Sequence, residues 1–281
     1  MLYSERLLFK NANGESINIG YDYDLIPLEF DDAVDNELNT TKFALQDGST
    51  FVSSALSDRL ISILVTYPIK NAVAIEKEVL RVFNPTIEGT LYKINSFGTK
   101  QIAVRLLSAP HITRMKGRGE ITIDLKACYP FYQTDNVAER LSVKTPLLRF
   151  PMYWTTAEQR LMGLYADTLV TKVANKGDIA TGFVLTFKAR GTVKNPAVQN
   201  TTTGERIVLN YTMEQGDEVQ VVNMPFFKEV RVNGEKRFTA LNRTDTKFFM
   251  LAVGLNTFQI EAEQNVSNLT AVIEYAPKYL G

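Results

Sequence analysis

Three chemically specialised residue types are almost missing from this chain of 281 residues, which contains one cysteine, one histidine and one tryptophan. The lone cysteine, Cys128, cannot form a disulfide within the chain, so packing alone must hold the fold and a reducing compartment is expected. The sequence has no Cys/His spacing typical of a zinc site and no glycine-rich phosphate loop. It therefore predicts neither a metal site nor a cofactor.

Net charge is also missing, because 31 basic residues balance 31 acidic ones. General DNA or RNA binders carry a basic surface, so this balance argues against that class and leaves only passive contact with nucleic acid. No apolar run reaches the roughly 18 residues expected of a membrane-spanning helix. The start of the chain lacks the basic and apolar segments of a secretory signal. We expect no membrane association.

The residues that are present, 45% hydrophobic and 22% charged, are typical of a globular protein. The length suits two domains. We predict an N-terminal domain over residues 1–136, a linker with a short helix over 137–174, and a C-terminal domain over 175–281. The linker helix is predicted to begin at Thr155, where a capping-box spacing occurs. Its buried face would consist of Leu161, Leu164 and Tyr165.

The N-terminal domain is predicted to be a β-sheet with one helix. Alternating apolar residues around Asn13-Gly14 predict a β-hairpin over residues 7–21. Helical spacing over Asn71–Phe83 predicts an amphipathic helix. Its apolar stripe is predicted to contain Ala72, Val73, Val79, Leu80 and Phe83. Further strands are predicted over residues 59–67, 91–94, 101–106 and 121–127.

Two charged segments interrupt this pattern. From Asp22 to Glu37 the chain has seven acidic residues and no basic one, which predicts an exposed loop. Solvation is its ordinary role, and the alternative is an acidic surface beside which DNA slides without sticking. Arg114–Gly119 is predicted to be a basic turn between strands. A contact with an acidic neighbouring subunit is the alternative to plain solvent exposure.

The C-terminal domain has an all-β pattern. Phe183, Leu185 and Phe187 alternate with other side chains, and turn dipeptides such as Asn195-Pro196 separate short apolar runs. Strands are predicted over residues 206–211, 218–222 and 229–232. Short strands at this spacing predict a β-sandwich.

No residues in the sequence form a catalytic signature. His111 has no compelling partner, and no Gly-x-Ser-x-Gly elbow is found. Asp31-Asp32 lies in an acidic segment, which is more typical of solvation than of an acid/base pair. Cys128 is predicted to be a small buried hydrophobic residue rather than a nucleophile. We therefore expect no catalytic residues and no enzymatic activity.

The end of the sequence is its most distinctive part. Gly254-Leu255-Asn256 opens a strand, and a later strand ends in Tyr-Ala-Pro-Lys-Tyr-Leu-Gly over residues 275–281. Pro277 removes a backbone donor, so the last residues are expected to finish an edge strand or to cross back to the first domain. The segment holds no nucleophile and no acid/base pair, which favours an assembly role.

This ending resembles the distal tail proteins of bacteriophages with long non-contractile tails, including prophages. The Pro-aromatic segment Cys128–Tyr132 resembles the close of the N-terminal domain in the same family. Several short phrases occur in the order found in that family, and together they extend the resemblance over nearly the whole chain. They lie at residues 194–200, 202–205, 216–219, 230–234 and 248–256.

The resemblance implies a mainly β protein whose N-terminal domain forms a homo-hexameric ring and whose C-terminal domain is a galectin-like β-sandwich, or jelly roll. It implies a structural virion protein at the tail tip or baseplate, assembled in the bacterial host cytoplasm. Its ring would join the tail tube protein to tail-associated or receptor-binding proteins, with a channel for DNA. In some members the final strand returns to the N-terminal domain.

One departure from sugar-binding galectins concerns their His-x-Asn-Pro-Arg strand and stacking tryptophan. Here Asn195-Pro196 lacks the flanking histidine and arginine, and His111 and Trp154 lie outside the C-terminal domain. A galectin-type sugar site is therefore not expected. A carbohydrate-binding module for host cell-wall sugars nevertheless stays the alternative function, and exposed aromatic residues would favour it.

Overall fold

The chain folds into two compact units in the computed structural model. The first contains Met1–Thr134 and Tyr279–Gly281, and the second contains Asp135–Lys278. Strands dominate both units, which confirms the predicted mainly β class. The structure describes residues 6–45, 47–141, 144–146, 163–165 and 170–281.

The first unit is built on one antiparallel sheet and one α-helix. Its strands before residue 134 are β1 (Arg6–Asn11), β2 (Ser16–Ile19), β3 (Ile26–Asp31), β4 (Asn36–Thr41), β5 (Thr50–Leu56), β6 (Arg59–Pro68), β7 (Gly89–Asn95), β8 (Gly98–Leu106), β9 (His111–Arg114), β10 (Arg118–Ala127) and β11 (Tyr132–Gln133). Their spatial order is β2-β1-β7-β8-β10-β6-β3, with β9 beside β10 and β11 beside β8. β4 and β5 form a separate two-stranded hairpin.

The hairpin predicted over residues 7–21 is confirmed. Leu7 of β1 lies opposite Ile19 of β2, and both side chains are buried. Gly14 in the connecting turn has a φ angle of 85°, which an L side chain rarely adopts and glycine adopts freely. The other strands predicted in this domain are also present, as β6, β7, β8 and β10.

The predicted helix is present as α1 (Ala72–Val82), but two residues of its predicted stripe are exposed. Val73 is 76% exposed and Leu80 is 46% exposed. They are seven residues apart and therefore share a face, which lies roughly 100° around the helix from the centre of the buried face. The helix residues that pack on the sheet are Ala72, Ile75, Glu76, Val79 and Val82.

The prediction of an exposed loop over Asp22–Glu37 is wrong in part, because β3 lies inside this segment and pairs with β6. Leu25 is buried and Phe30 is half-buried between the acidic residues, so apolar contacts hold the backbone on the sheet. The acidic side chains are exposed as predicted, apart from the half-buried Asp32. The basic segment Arg114–Gly119 contains a tight turn as predicted, with the backbone N–H of Met115 donating to Arg118 at 2.9 Å.

The second unit contains two main antiparallel sheets. Its strands are β12 (Val137–Arg140), β13 (Lys144–Pro146), β14 (Gly163–Tyr165), β15 (Val170–Asn175), β16 (Phe183–Ala189), β17 (Val193–Lys194), β18 (Ala197–Asn200), β19 (Glu205–Val208), β20 (Thr212–Met213), β21 (Glu218–Asn223), β22 (Lys228–Val232), β23 (Glu235–Lys236), β24 (Gly254–Glu261) and β25 (Leu269–Tyr275). The larger sheet has the order β12-β25-β16-β21-β22-β23, and the smaller has the order β15-β24-β18-β19.

A single apolar core joins these two sheets into a β-sandwich. Phe249 lies 5.1 Å from Phe183 of the larger sheet and 6.1 Å from Phe258 of the smaller sheet, measured between ring centres. All three rings are buried. Short 3-10 helices also occur, at Ile69–Asn71 before α1 and at Phe238–Ala240 and Val266–Asn268 in this unit.

The segment predicted to be a linker, residues 137–174, begins with β12 and ends with β15, and both strands belong to the sandwich. Leu164 and Tyr165 lie in β14, so the predicted linker helix does not include them. Its predicted start at Thr155 lies outside the described residues. The strand predicted over residues 206–211 ends earlier, at Val208, whereas those predicted over 218–222 and 229–232 are present. Within the described residues, no helix combines the length and the apolarity needed to cross a membrane.

Candidate assembly surfaces

The last residues of the chain pack on the first unit. The final short strand, β26 (Lys278–Tyr279), pairs with β11, and the Tyr279 ring packs against the apolar core of this unit. Lys100 Nζ lies 4.5 Å from the centre of that ring and donates to the carbonyl of Gly281. These contacts connect the last three residues to the sheet that contains β1.

Arg59 organises the centre of this contact. Its side chain is only 1% exposed, and its Nε donates to the carbonyl of Pro130 at 2.7 Å. The two terminal nitrogens donate to the carbonyls of Asp32 and Leu280. The guanidinium also lies 5.0 Å from the centre of the Tyr132 ring. One planar cation thereby joins three chain segments that are far apart in sequence.

A second polar cluster, in which Tyr67 and Glu76 are buried and Arg114 is exposed, connects α1 to the sheet. Glu76 accepts hydrogen bonds from Tyr67 Oη at 2.5 Å and from Arg114 Nε at 2.9 Å. These hydrogen bonds, above all those from Arg114, lower the pKa of Glu76 to about 2. Burial, together with the bond to Glu76, raises the pKa of Tyr67 to about 12. Neither group changes its protonation near neutral pH, so the cluster is suited to holding structure rather than to proton transfer.

Acid is expected to weaken the first unit through Glu76. Because its pKa is lowered from 4.5 in the unfolded chain to about 2 in the fold, its charge stabilises the fold above pH 4.5, and this stabilisation is lost as the pH falls toward 2. The Tm difference between the native protein and Glu76→Gln should therefore be full at neutral pH and shrink across that window. Thermal unfolding at several pH values measures it.

Glu78→Gln is the control for this experiment, since Glu78 lies on the same helix but is exposed. It should leave the Tm unchanged, or nearly so, at each pH. If the Tm difference for Glu76→Gln were constant from neutral pH down to the acid limit, the assigned role of this carboxylate would be wrong.

The hairpin of β4 and β5 is the most exposed element of the first unit. Every residue in both strands is exposed, although several are large and apolar. Leu38, Phe51 and Val52 are each about 60% exposed and Leu56 is 37% exposed. Contiguous apolar surface of this kind marks an interaction site in proteins that are stable in solution.

A second exposed apolar surface lies on α1 and the turn before it. Ile69 is 43% exposed and lies one turn before Val73, and Leu80 follows on the same side two turns later. Lys70 and Lys77 are exposed on the adjacent row. We call Ile69, Val73 and Leu80 the α1 stripe. The helical pattern pointed to Val73 and Leu80, but as core residues rather than as surface.

Among the described residues, those considered as catalytic candidates do not form one cluster. His111 lies in β9 and is exposed. Cys128 is exposed, so its prediction as a buried residue is wrong: it follows the last residue of β10, where the alternation of the strand ends. Asp32 was predicted to be solvated, yet it pairs with Lys93 at 3.0 Å and accepts from Tyr132 at 2.8 Å. Trp154 lies outside the described residues.

Within the part of the chain that the structure describes, no three His, Cys, Asp or Glu side chains are grouped so that they could hold a metal ion.

A polar groove runs over the outer face of the larger sheet in the second unit. Its lining includes Arg140, Lys188 and Gln220, which come from three different strands. Among the described residues that line this groove none is aromatic. At the Asn195 turn, Asn195 Nδ2 and Lys194 Nζ both bind the carboxylate of Glu263.

Comparison with known proteins gives a match for the C-terminal part of the chain. Residues 176–279 match the family described as siphovirus-type tail component, C-terminal domain. No curated protein sequence matches the chain.

Two solved structures are similar over nearly all of the chain. One is SPP1 Dit (gp 19.1), described as a paradigm of the hub adsorption apparatus in phages that infect Gram-positive bacteria, with a TM-score of 0.69 and 11% identity over 98% of this chain and 99% of that one. The other is a chain of the phage P2 baseplate in its activated conformation with Ca, with a TM-score of 0.51 and 10% identity over 100% and 99%. At such low identity the likeness shows the fold alone.

Proposed function

We propose, from the match of residues 176–279 to the siphovirus-type tail component family, that this chain is a distal tail hub that works as a homo-hexameric ring. The ring joins the phage tail tube to the tail tip or baseplate. In this proposal the contacts between neighbouring copies in the ring are made by the first unit. The second unit is a galectin-like sandwich carried outside it.

The exposed hairpin of β4 and β5 is the observation that carries the ring proposal. A two-stranded hairpin is marginal in water unless it packs on something else, and this one shares its sheet with no other described strand. Its apolar side chains are exposed in the single chain. In the ring, a neighbouring copy buries these apolar side chains, and the same contact is repeated in every subunit.

The partners of the ring follow from its place in the tail. The tail tube protein binds one side, and tail-associated or receptor-binding proteins bind the other. DNA passes through the channel without specific binding, which suits the balance of 31 basic and 31 acidic residues. The exposed acidic side chains between Asp22 and Glu37 suit a surface that DNA passes without sticking. The protein acts in the virion tail tip after assembly in the host cytoplasm.

The alternative function, a carbohydrate-binding module, gains no support from the polar groove of the second unit, since the exposed Phe226 and Phe227 lie in a turn outside that groove. Modules of that class stack sugar rings on aromatic side chains, and the polar groove presents none among its described lining residues. The structural hub is therefore the better account of the chain.

The ring is tested by the mass of the protein in solution. Light scattering should give six times the chain mass of 31.6 kDa, at least at high concentration, and negative-stain images should show rings. Replacing Leu38, Phe51 and Val52 together by serine should give a folded monomer, because the apolar cover between copies is lost.

Val253→Ser with Leu255→Ser is the matched control, since these residues are 52% and 55% exposed but lie in the second unit. This variant should keep the ring. A native protein that stayed monomeric at every concentration and bound a cell-wall glycan would favour the carbohydrate-binding module instead.

A further inference from the structure

We propose that the apolar face of the β4–β5 hairpin in one copy packs on the α1 stripe of the next copy. This inference rests on the proposed ring and names the contact that builds it. Both surfaces belong to the first unit and both are exposed in the single chain. Two different patches on identical subunits give a head-to-tail contact, which is the kind that closes a ring.

The register of the hairpin gathers its large apolar side chains on one face. Leu38 lies opposite Ser54, and Asn36 lies opposite Leu56, so Leu38 and Leu56 share a face. The register then shifts, because Asn39 pairs with Ser53 but Thr40 pairs with Phe51.

The shift leaves Val52 as the extra residue of a β-bulge. The bulge turns Phe51 onto the same face as Leu38, where regular alternation would have sent it to the other side. The opposite face is polar, and there Asn39 Nδ2 donates to Ser53 Oγ at 3.1 Å. The hairpin is therefore amphipathic, with Leu38, Phe51 and Leu56 on one apolar face and the exposed Val52 beside Phe51 at the bulge.

The hairpin face and the α1 stripe match in length. Five steps along β5 separate Phe51 from Leu56, which corresponds to about 17 Å. Eleven residues separate Ile69 from Leu80, which corresponds to about 16 Å along a helix. A helix lying along a two-stranded ribbon can bury both rows together, and the residues of both rows are between 37% and 76% exposed in the single chain.

Charge complementarity favours the same pairing. Asp35 and Glu37 are exposed beside the start of β4, and Lys70 and Lys77 are exposed beside the α1 stripe. Opposite charges around two apolar patches fix their register and disfavour contact between two hairpins. The exposed pair Phe226 and Phe227 on the second unit is a weaker candidate, because it forms the tip of a turn rather than a row that matches the hairpin.

Cysteine cross-linking between copies tests this contact. In a Cys128→Ser background, one preparation carries Phe51→Cys and a second carries Val73→Cys. Mixing them under mild oxidation should give a disulfide-linked dimer, whereas each preparation alone should give none. A chain with both substitutions should give a ladder of products up to the size of the ring.

Glu78→Cys in place of Val73→Cys is the matched control, because it lies on the same helix but on a different side. It should give little or no product with Phe51→Cys. Rings of normal mass that show no more Phe51–Val73 product than this control would overturn the inference and leave the ring proposal standing. A protein that is monomeric at every concentration would overturn both.

A second variant gives an independent readout. Val73→Asp with Leu80→Asp changes only exposed positions, so the Tm of the isolated chain should stay nearly unchanged. The concentration needed for half-maximal ring formation should rise by about tenfold or more, because two charged groups replace apolar ones at the contact. Unaltered ring formation would count directly against the α1 stripe.

Discussion

Replacing Arg59 by leucine is expected to lower the free energy of unfolding of the first unit by about 3 kcal/mol or more. Leucine fills much of the space but cannot donate to the carbonyls of Asp32, Pro130 and Leu280. Hydrogen bonds from a charged group contribute about 1.5 to 3 kcal/mol each, and buried carbonyls without a partner cost more. Urea unfolding, followed by a probe in this unit, measures the loss.

Arg59→Lys separates charge from geometry. An ammonium group keeps the charge but cannot spread its donors over the plane of a guanidinium, so an intermediate loss is expected. Arg105→Leu is the control, because Arg105 is paired with Glu88 at a site where both side chains are more than half exposed. Its effect should stay within about 0.5 kcal/mol. Equal losses for Arg59→Leu and Arg105→Leu would contradict the organising role of Arg59.

Gly119→Ala is expected to destabilise the first unit by about 2 to 3 kcal/mol through a steric clash. Gly119 lies opposite Tyr67 in the β6–β10 pair, and the Tyr67 ring folds across it. A Cβ atom at position 119 would lie 2.1 Å from Tyr67 Cζ. The ring cannot simply move aside, because it is 1% exposed and its hydroxyl binds Glu76.

A double-mutant cycle tests the cause of this loss. In a Tyr67→Leu background the obstructing ring is gone, so Gly119→Ala should cost clearly less than it does in the native protein. Denaturant unfolding of the four proteins gives the coupling. An equal cost in both backgrounds would mean that the loss comes from the backbone at position 119 and not from the Tyr67 ring.

The architecture could be predicted largely from the sequence because the spacing of apolar residues indicates most of the strands and the helix. Ten-residue pairing between β6 and β10 joins an apolar-rich strand, β6, to a strand with clean apolar alternation, β10, and both patterns predict a strand. The family resemblance carried by the end of the chain is confirmed by the match over residues 176–279.

The orientation of α1 shows what periodicity could not decide. The helix buries Glu76 and exposes Val73, so a sorting of residues by hydrophobicity assigns both to the wrong side. Glu76 is buried because Tyr67 and Arg114 reach it from elsewhere in the sequence, which a local pattern does not show. The exposed Val73 belongs to the surface that we propose a second copy covers, and a pattern within one chain cannot separate such a surface from the core.

The β4–β5 hairpin was missed for a similar reason. Its strands are rich in Ser, Thr and Asn, and the bulge at Val52 breaks the simple alternation that predicts a strand. Leu38 and Leu56 are eighteen residues apart, yet the hairpin places them on one face. Only the register of the two strands shows that an apolar face exists.

The return of Tyr279–Gly281 to the first unit makes the second unit an insertion within the first. During synthesis the second unit, Asp135–Lys278, is complete before the first unit has received its last residues, although the first unit begins the chain. The hydrogen bond from Arg59 to the carbonyl of Leu280 can therefore form only after the ribosome has synthesised the whole second unit. A chain that stops early thus lacks part of the first unit, which we propose forms the ring, and such a chain is expected to fail in assembly.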